Sequence, residues 1–242
     1  MEPYYQDDLV TLFHGDCIEV TEWLSADVLV TDPPYGMAYE SNFNRIKGTQ
    51  KVGRPVAGDE TPDIRDRALD AWGAKPALVF GRWDVPRPAA TRHRLIWDKG
   101  NSVGMGDLSV PWGHAEEEIY LLGTGFVGKR ESNVIRAQML MSGDKSRPDH
   151  PTPKPIGLME VLVGKTVGVV ADPFAGSGAT LLAARNLGRR VIGVELEERY
   201  CELIAKRMSQ QSFDFTPRAF PSGPEVRSSG WSNQSLFGEE IA

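Results

Sequence analysis

Residues 166–188 read TVGVVADPFAGSGATLLAARNLG. They comprise an apolar run, a turn with glycines at 176 and 178, a helix-forming stretch and a closing glycine. A second apolar run, RRVIGVEL, follows at 189–196. Strand, glycine turn, helix and strand in close succession make a βαβ unit, whose two strands lie parallel with the helix on one face of the sheet. Gly188 is placed to stop that helix. A chain with such a unit near its end needs further strands to cover the sheet edges.

The rest of the sequence supplies them. LVTLFHGD (9–16) reads as a strand ending at Gly15-Asp16, and DVLVT (27–31) as a short strand buried on both faces. Between them CIEVTEWLSA reads as a helix, with Ile18, Val20, Trp23 and Leu24 at helical spacing. TPDIRDRALDAWG predicts a helix with Thr61 as cap, Pro62 at its first position and Gly73 at its end. PALVFG, RLIWDKG and EEIYLLG read as strands; PIGLMEVLVGK and EERYCELIAKRMSQ read as helices. Residues 36–60 form a long loop and 123–150 an irregular, charge-rich segment. From about 211 the composition turns to Ser, Pro, Gly and Phe, the mark of a largely disordered tail. Strands alternating with helices predict an α/β domain over residues 1–210, with a doubly wound, mostly parallel, Rossmann-like sheet, and a tail over 211–242.

Composition excludes several classes. No apolar run approaches the roughly 18 residues that would suggest a membrane span, and the opening MEPYYQDD lacks the form of a secretory signal. A cytoplasmic protein is expected. The two cysteines, Cys17 and Cys201, sit in no CxxC and are read as free thiols in helix packing, so no metal site is expected. The formal net charge of −6 argues against a protein that coats nucleic acid, while leaving room for a local basic cleft.

Two stretches carry chemistry. In VLVTDPPYGM (28–37) a buried strand ends on Asp32-Pro33-Pro34-Tyr35. The prolines forbid further ladder pairing, so the carboxylate and the aromatic stand at the strand's open end. In the second stretch a strand ends at Asp172, and Phe174, Gly176, Ser177 and Gly178 form the turn into a helix. The first turn of that helix offers unpaired N–H groups. Glu195 ends the following strand, where folds of this kind place an acid on a ribose. The loop is neither GxxxxGK[ST] nor GxGxxG, which disfavours a nucleoside triphosphate or a nicotinamide dinucleotide. A smaller nucleoside ligand bearing a carboxylate, such as S-adenosylmethionine, fits better.

TDPPYG resembles the catalytic motif of DNA amino-methyltransferases of the N6-adenine type, ADPFAGSGAT their cofactor loop, and HPTPKP (150–155) the segment preceding the cofactor strand. With the catalytic motif first, the order resembles the circularly permuted β class, and RLIWDKGNSVGMGDLS is similar to small phage methylases. The resemblance implies methyl transfer from S-adenosylmethionine to a flipped adenine in double-stranded DNA. Asp32 and the Pro33 carbonyl would accept from the amine, Pro34 would fix the backbone, and Tyr35 would stack on the base. It implies cofactor contacts for Phe174, Gly176, Ser177, Gly178 and Glu195, for Asp172 at the strand end, and for Thr152 and Lys154 at the methionine carboxylate. Asp16 would reach the adenine edge, unless it only caps the following helix. Arg45, Lys47, Lys51, Arg54 and Arg136 are candidate DNA contacts. Cytosine N4 as target, or a SAM-binding module without catalysis, are the alternatives. Homodimerisation and a restriction partner stay open.

Overall fold

The computed structural model describes residues 1–34, 63–100, 109–140 and 147–211. Strands β1 (Tyr5–Gln6), β2 (Val10–His14), β3 (Val28–Thr31), β4 (Ala77–Gly81), β5 (Thr91–Asp98), β6 (Glu116–Leu122), β7 (Val134–Arg136), β8 (Val170–Asp172) and β9 (Val191–Glu195) form one sheet. Its order is β1-β2-β9-β8-β3-β4-β6-β5-β7. The helices are α1 (Asp63–Trp72), α2 (Ile156–Gly164), α3 (Ala179–Asn186) and α4 (Glu198–Gln211). Tyr35, the loop 36–60, the expected cap Thr61-Pro62 and the tail from 212 lie outside the described residues.

β2, β9, β8, β3 and β4 run parallel, as the βαβ reading requires. Beyond β4 the sheet turns mixed: β6 is antiparallel to β4 and β5 is antiparallel to β6. The interior strands are apolar on both faces because both faces are covered. Val28, Val30, Leu78 and Phe80 pack in one cluster with Leu158 and Met159 of α2, Leu181 and Leu182 of α3 and Ile204 of α4. Leu29, Ala77 and Val79, which alternate with them, pack in a second cluster with Trp23 and with Ala68 and Trp72 of α1. The period of two along each strand therefore sorts residues between two cores.

Two expectations fail. Residues 17–26 are not a helix; apart from a first turn, only a 3-10 turn at Glu22–Ser25 forms. The Asp16 carbonyl accepts from Val20 N at 2.8 Å, starting one turn. The Cys17 carbonyl, which the next helical step would need, instead accepts from the Trp23 indole at 2.9 Å. Trp23 is drawn inward and its ring stacks on Trp72, centroids 5.7 Å apart. The segment 123–150 is also not wholly irregular. β7 runs parallel to β5, with Ile96 paired to Val134 and Asp98 to Arg136. Three residues are too few to show a hydrophobic period.

Among the described residues no helix is long and apolar enough to cross a membrane. Trp23 is fully buried, so Trp23→Ala removes the stack and the indole bond together. It should cost about 3–5 kcal/mol of stability, read as a fall in the urea midpoint at unchanged slope.

Candidate active site

The five parallel strands all end on one edge of the sheet, and four of those ends carry an acidic residue. Crossing the edge, Asp16 follows β2, Glu195 ends β9, Asp172 ends β8 and Asp32 follows β3. Beyond β4 comes the start of the antiparallel β6, with Glu116, Glu117 and Glu118. From β8 the chain passes through α3 to β9 on one side, while from β3 it leads to β4 on the other. The boundary between β8 and β3 is therefore a topological switch point, where open α/β sheets leave a crevice for ligands. Asp172 and Asp32 flank it.

On the β9 side Glu195 Oε2 accepts from Gly176 N at 2.7 Å and Oε1 from Glu197 N at 2.8 Å. Burial nevertheless pushes its carboxyl up to about 7. Each oxygen retains a lone pair for a further donor. Asp172 is held by the Thr31 hydroxyl at 2.7 Å and Phe174 N at 3.2 Å. Burial, joined by the charge of Asp32, lifts it to about 6 against those bonds. The turn above it is left-handed at Gly176 (φ +52°) and Gly178 (φ +79°). A Cβ on Gly176 would come 3.2 Å from His150 Nε2, and one on Gly178 only 2.8 Å from Ile204 Cγ1. Gly178, expected to admit a ligand, is thus also required by the packing of α4. Arg207 of α4 donates to the Ser177 carbonyl and fixes the turn from behind. His150, half-buried against Tyr200 with centroids 4.7 Å apart, is pushed down to about 4 by burial and nearby cations, so its ring is neutral.

On the β3 side Asp32 pairs with Lys154, whose ammonium also lies 3.3 Å from Glu117 Oε2. Glu117 Oε1 in turn meets Lys99 Nζ at 2.8 Å. The four charges alternate in sign and sum to zero. Lys154 is buried and also lies over the Phe80 ring, 4.9 Å from its centroid. Burial opposes its charge, but Asp32 and Glu117 outweigh that and hold it protonated. Burial likewise opposes the charge on Glu117, which Lys154 and Lys99 keep ionised below the ordinary glutamate range.

Of the residues singled out in the sequence, Asp32, Asp172, Phe174, Gly176, Ser177, Gly178 and Glu195 converge on this edge, with Pro33 and Pro34 continuing from Asp32. Lys154 reaches the edge as well, paired there with Asp32 and Glu117. Asp16 acts as a turn cap, its Oδ1 accepting from Ile18 N at 2.8 Å. Thr152 is exposed, and its N–H donates to His150 Nδ1 at 3.3 Å. Arg136, offered as a DNA contact, is spread on Asp98 through two bonds of 2.9 Å. Tyr35, Arg45, Lys47, Lys51 and Arg54 lie outside the described residues. Glu117 and Lys99 escaped the sequence reading. The signal was present: in EEEIYLL the strand period puts Glu117 on the opposite face from Glu116 and Glu118. Cys17 and Cys201 are buried thiols pushed up to about 12 by burial, unsuited to nucleophilic attack.

Residues 92–207 match the family model described as DNA methylase. The type II methyltransferase M2.MboI of Moraxella bovis is 34% identical to the chain, over 86% of this chain and 91% of its own. The chain belongs to the DNA methylase family. Its fold is shared by the crystal structure of the M1.HpyAVI–SAM complex, at 20% identity and TM-score 0.55 over 82% of this chain and 100% of that one. It is shared too by the PvuII DNA methyltransferase, cytosine-N4-specific, at 15% identity and TM-score 0.59 over 85% and 88%.

This methylase should tolerate no side chain at 178. Gly178→Ala combines a left-handed backbone with the 2.8 Å clash on Ile204 and should cost about 1–3 kcal/mol, measured by denaturant unfolding.

Proposed function

We propose that this DNA methylase transfers a methyl group from S-adenosylmethionine to the exocyclic N6 of adenine in double-stranded DNA. The observation that carries the reading is the placement of Asp32 and Pro33 at the switch point, one strand from Asp172 and two from Glu195. Residues 1–210 are the methyltransferase domain and 211–242 a tail, and the motif order follows the permuted β class. Bound S-adenosylmethionine supplies an electrophilic methyl group on a sulfonium. The donor set suits that molecule: Glu195 is a buried acid with lone pairs for two ribose hydroxyls, and the loop at Phe174, Gly176 and Ser177 lies beside it.

The chain's own residues then have defined work. An exocyclic amine is a weak nucleophile because its lone pair is delocalised into the ring. Asp32 and the Pro33 carbonyl accept its two hydrogens, favouring a pyramidal nitrogen and aiming the freed lone pair. Pro34 restricts Pro33 to an extended backbone, which directs that carbonyl. Tyr35 gives the flipped base a stacking face. The loop 36–60 with Arg45, Lys47, Lys51 and Arg54, and the segment 123–150 with Arg136, supply backbone contacts to DNA. Aspartate at position 32 supports adenine over cytosine, since the cytosine-N4 type more often carries serine there.

Incubation with labelled S-adenosylmethionine and mixed-sequence DNA, followed by digestion to nucleosides, should place the label on adenine. Label on cytosine would replace the target by N4. An Asp32→Ala variant should lose at least about a thousandfold in kcat while still binding cofactor; no label above that control would leave a non-catalytic SAM-binding module.

Cofactor binding should also titrate. Glu195 at about 7 is neutral in more acid solution, where it is a poorer acceptor for two hydroxyls. Affinity should rise about tenfold between roughly pH 6 and pH 8, and isothermal calorimetry on Glu195→Gln should show a flat profile. The stability term has the opposite sign. A buried acid raised from 4.5 to about 7 contributes fully below its unfolded value and loses that contribution as pH rises through about 7.

A further inference from the structure

We propose that Glu117 is a positioning residue that takes over the Lys154 ammonium from Asp32 when the target amine docks. The inference rests on the methyl-transfer reading above. Asp32 cannot give its full acceptor strength to an amine while a buried ammonium is bound to it, and at this site it is so bound. Lys154 has nowhere to go in solvent, being 8% exposed and packed over Phe80. Among the described residues one other carboxylate is paired with it. Glu117 Oε2 lies 3.3 Å from Lys154 Nζ, is buried, and is the single buried side-chain oxygen or nitrogen among the described residues with no hydrogen bond. That oxygen has the charge of Lys154 beside it but no well-formed hydrogen bond, and a buried carboxylate oxygen so placed carries a cost that a closer ammonium would relieve. A short rotation of the Lys154 side chain would satisfy it and release Asp32, with the charges staying buried and their sum unchanged. Lys99, bound to the other Glu117 oxygen at 2.8 Å, keeps the carboxylate ionised and aimed.

No covalent bond changes in this exchange. One N–H···O contact to Asp32 is replaced by one to Glu117, and the amine hydrogen of the target occupies the vacated Asp32 oxygen. The ordinary role for such a pair would be purely structural, and the two roles separate in kinetics. In Glu117→Gln the ammonium has Asp32 as its one carboxylate and stays there. The expected result is a fall in kcat of roughly tenfold or more, with the dissociation constant for S-adenosylmethionine unchanged. Lys154→Met removes the competitor altogether. At saturating cofactor, Glu117→Gln added to it should change kcat by less than about twofold relative to Lys154→Met alone.

All variants are measured beside the parent chain in the labelled-methyl assay, after thermal melting and cofactor binding show them folded. Glu117→Asp, too short to reach the ammonium, substitutes for Glu117→Gln, and Lys154→Gln for Lys154→Met, where the first choice does not fold. Full kcat in the Glu117 variant overturns the proposal. So does a loss in kcat that persists undiminished without Lys154, or a Lys154 variant with no turnover. A parent chain that transfers no methyl group refutes the methyl-transfer reading itself, and the exchange with it; an active parent with an indifferent Glu117 variant refutes the exchange alone.

Discussion

Parallel pairing of β3 with β8 is the contact on which the site depends. Val28 pairs with Val170 and Leu29 with Ala171. The seam is held at both ends by side chains: Asp27 Oδ2 accepts from Val169 N at 2.6 Å, and the Thr31 hydroxyl donates to Asp172 at 2.7 Å. Without this seam the cofactor-type loop and the DPPY strand would belong to two separate half-sheets. With it, Asp32 stands close enough for its charge to help raise the carboxyl of Asp172. Short strands suffice because both faces are sealed by apolar side chains, so the ladder bonds are shielded from water.

The two halves of the edge treat their acids differently. Asp172 and Glu195 are surrounded by backbone and hydroxyl donors, with no cation bound to them among the described residues, so burial dominates and their acidity is weakened. Asp32 and Glu117 are half-buried against ammoniums, and those of Lys154 and Lys99 keep Glu117 ionised. Acids poised near neutrality suit a neutral polyol that donates hydrogen bonds. An ionised acid suits an amine whose hydrogens must be drawn away from it. The same side-chain chemistry is tuned to two tasks by the choice of neighbours.

Much of this was legible in the sequence, for identifiable reasons. The glycine turn, the run into Glu195 and the abrupt DPPY ending are local patterns, and each sits where its strand ends. The helical reading of residues 17–26 failed because one indole claimed a backbone carbonyl, a tertiary event that apolar spacing does not encode. Glu117 was hidden in a run of three glutamates, although strand alternation separates it from its neighbours. The partners of Lys154 could not be read, because they come from β3 and β6, far from it in the chain. Gly178 was understood for half its purpose: its conformation is visible in the motif, its contact with Ile204 is not.

The sheet order has a consequence for how the molecule is made. β2 leaves the ribosome early, yet its parallel neighbour is β9, with Val10 against Val191; β3 likewise waits for β8, as the Thr31–Asp172 bond spans 141 residues. The centre of the sheet therefore cannot close during early synthesis, and the nascent chain carries unpaired apolar strand edges until its last βαβ unit emerges. Such long-range closure is slow and leaves those edges open to wrong partners. Translation speed and chaperone capture should thus shape the yield of this enzyme more than its final stability does.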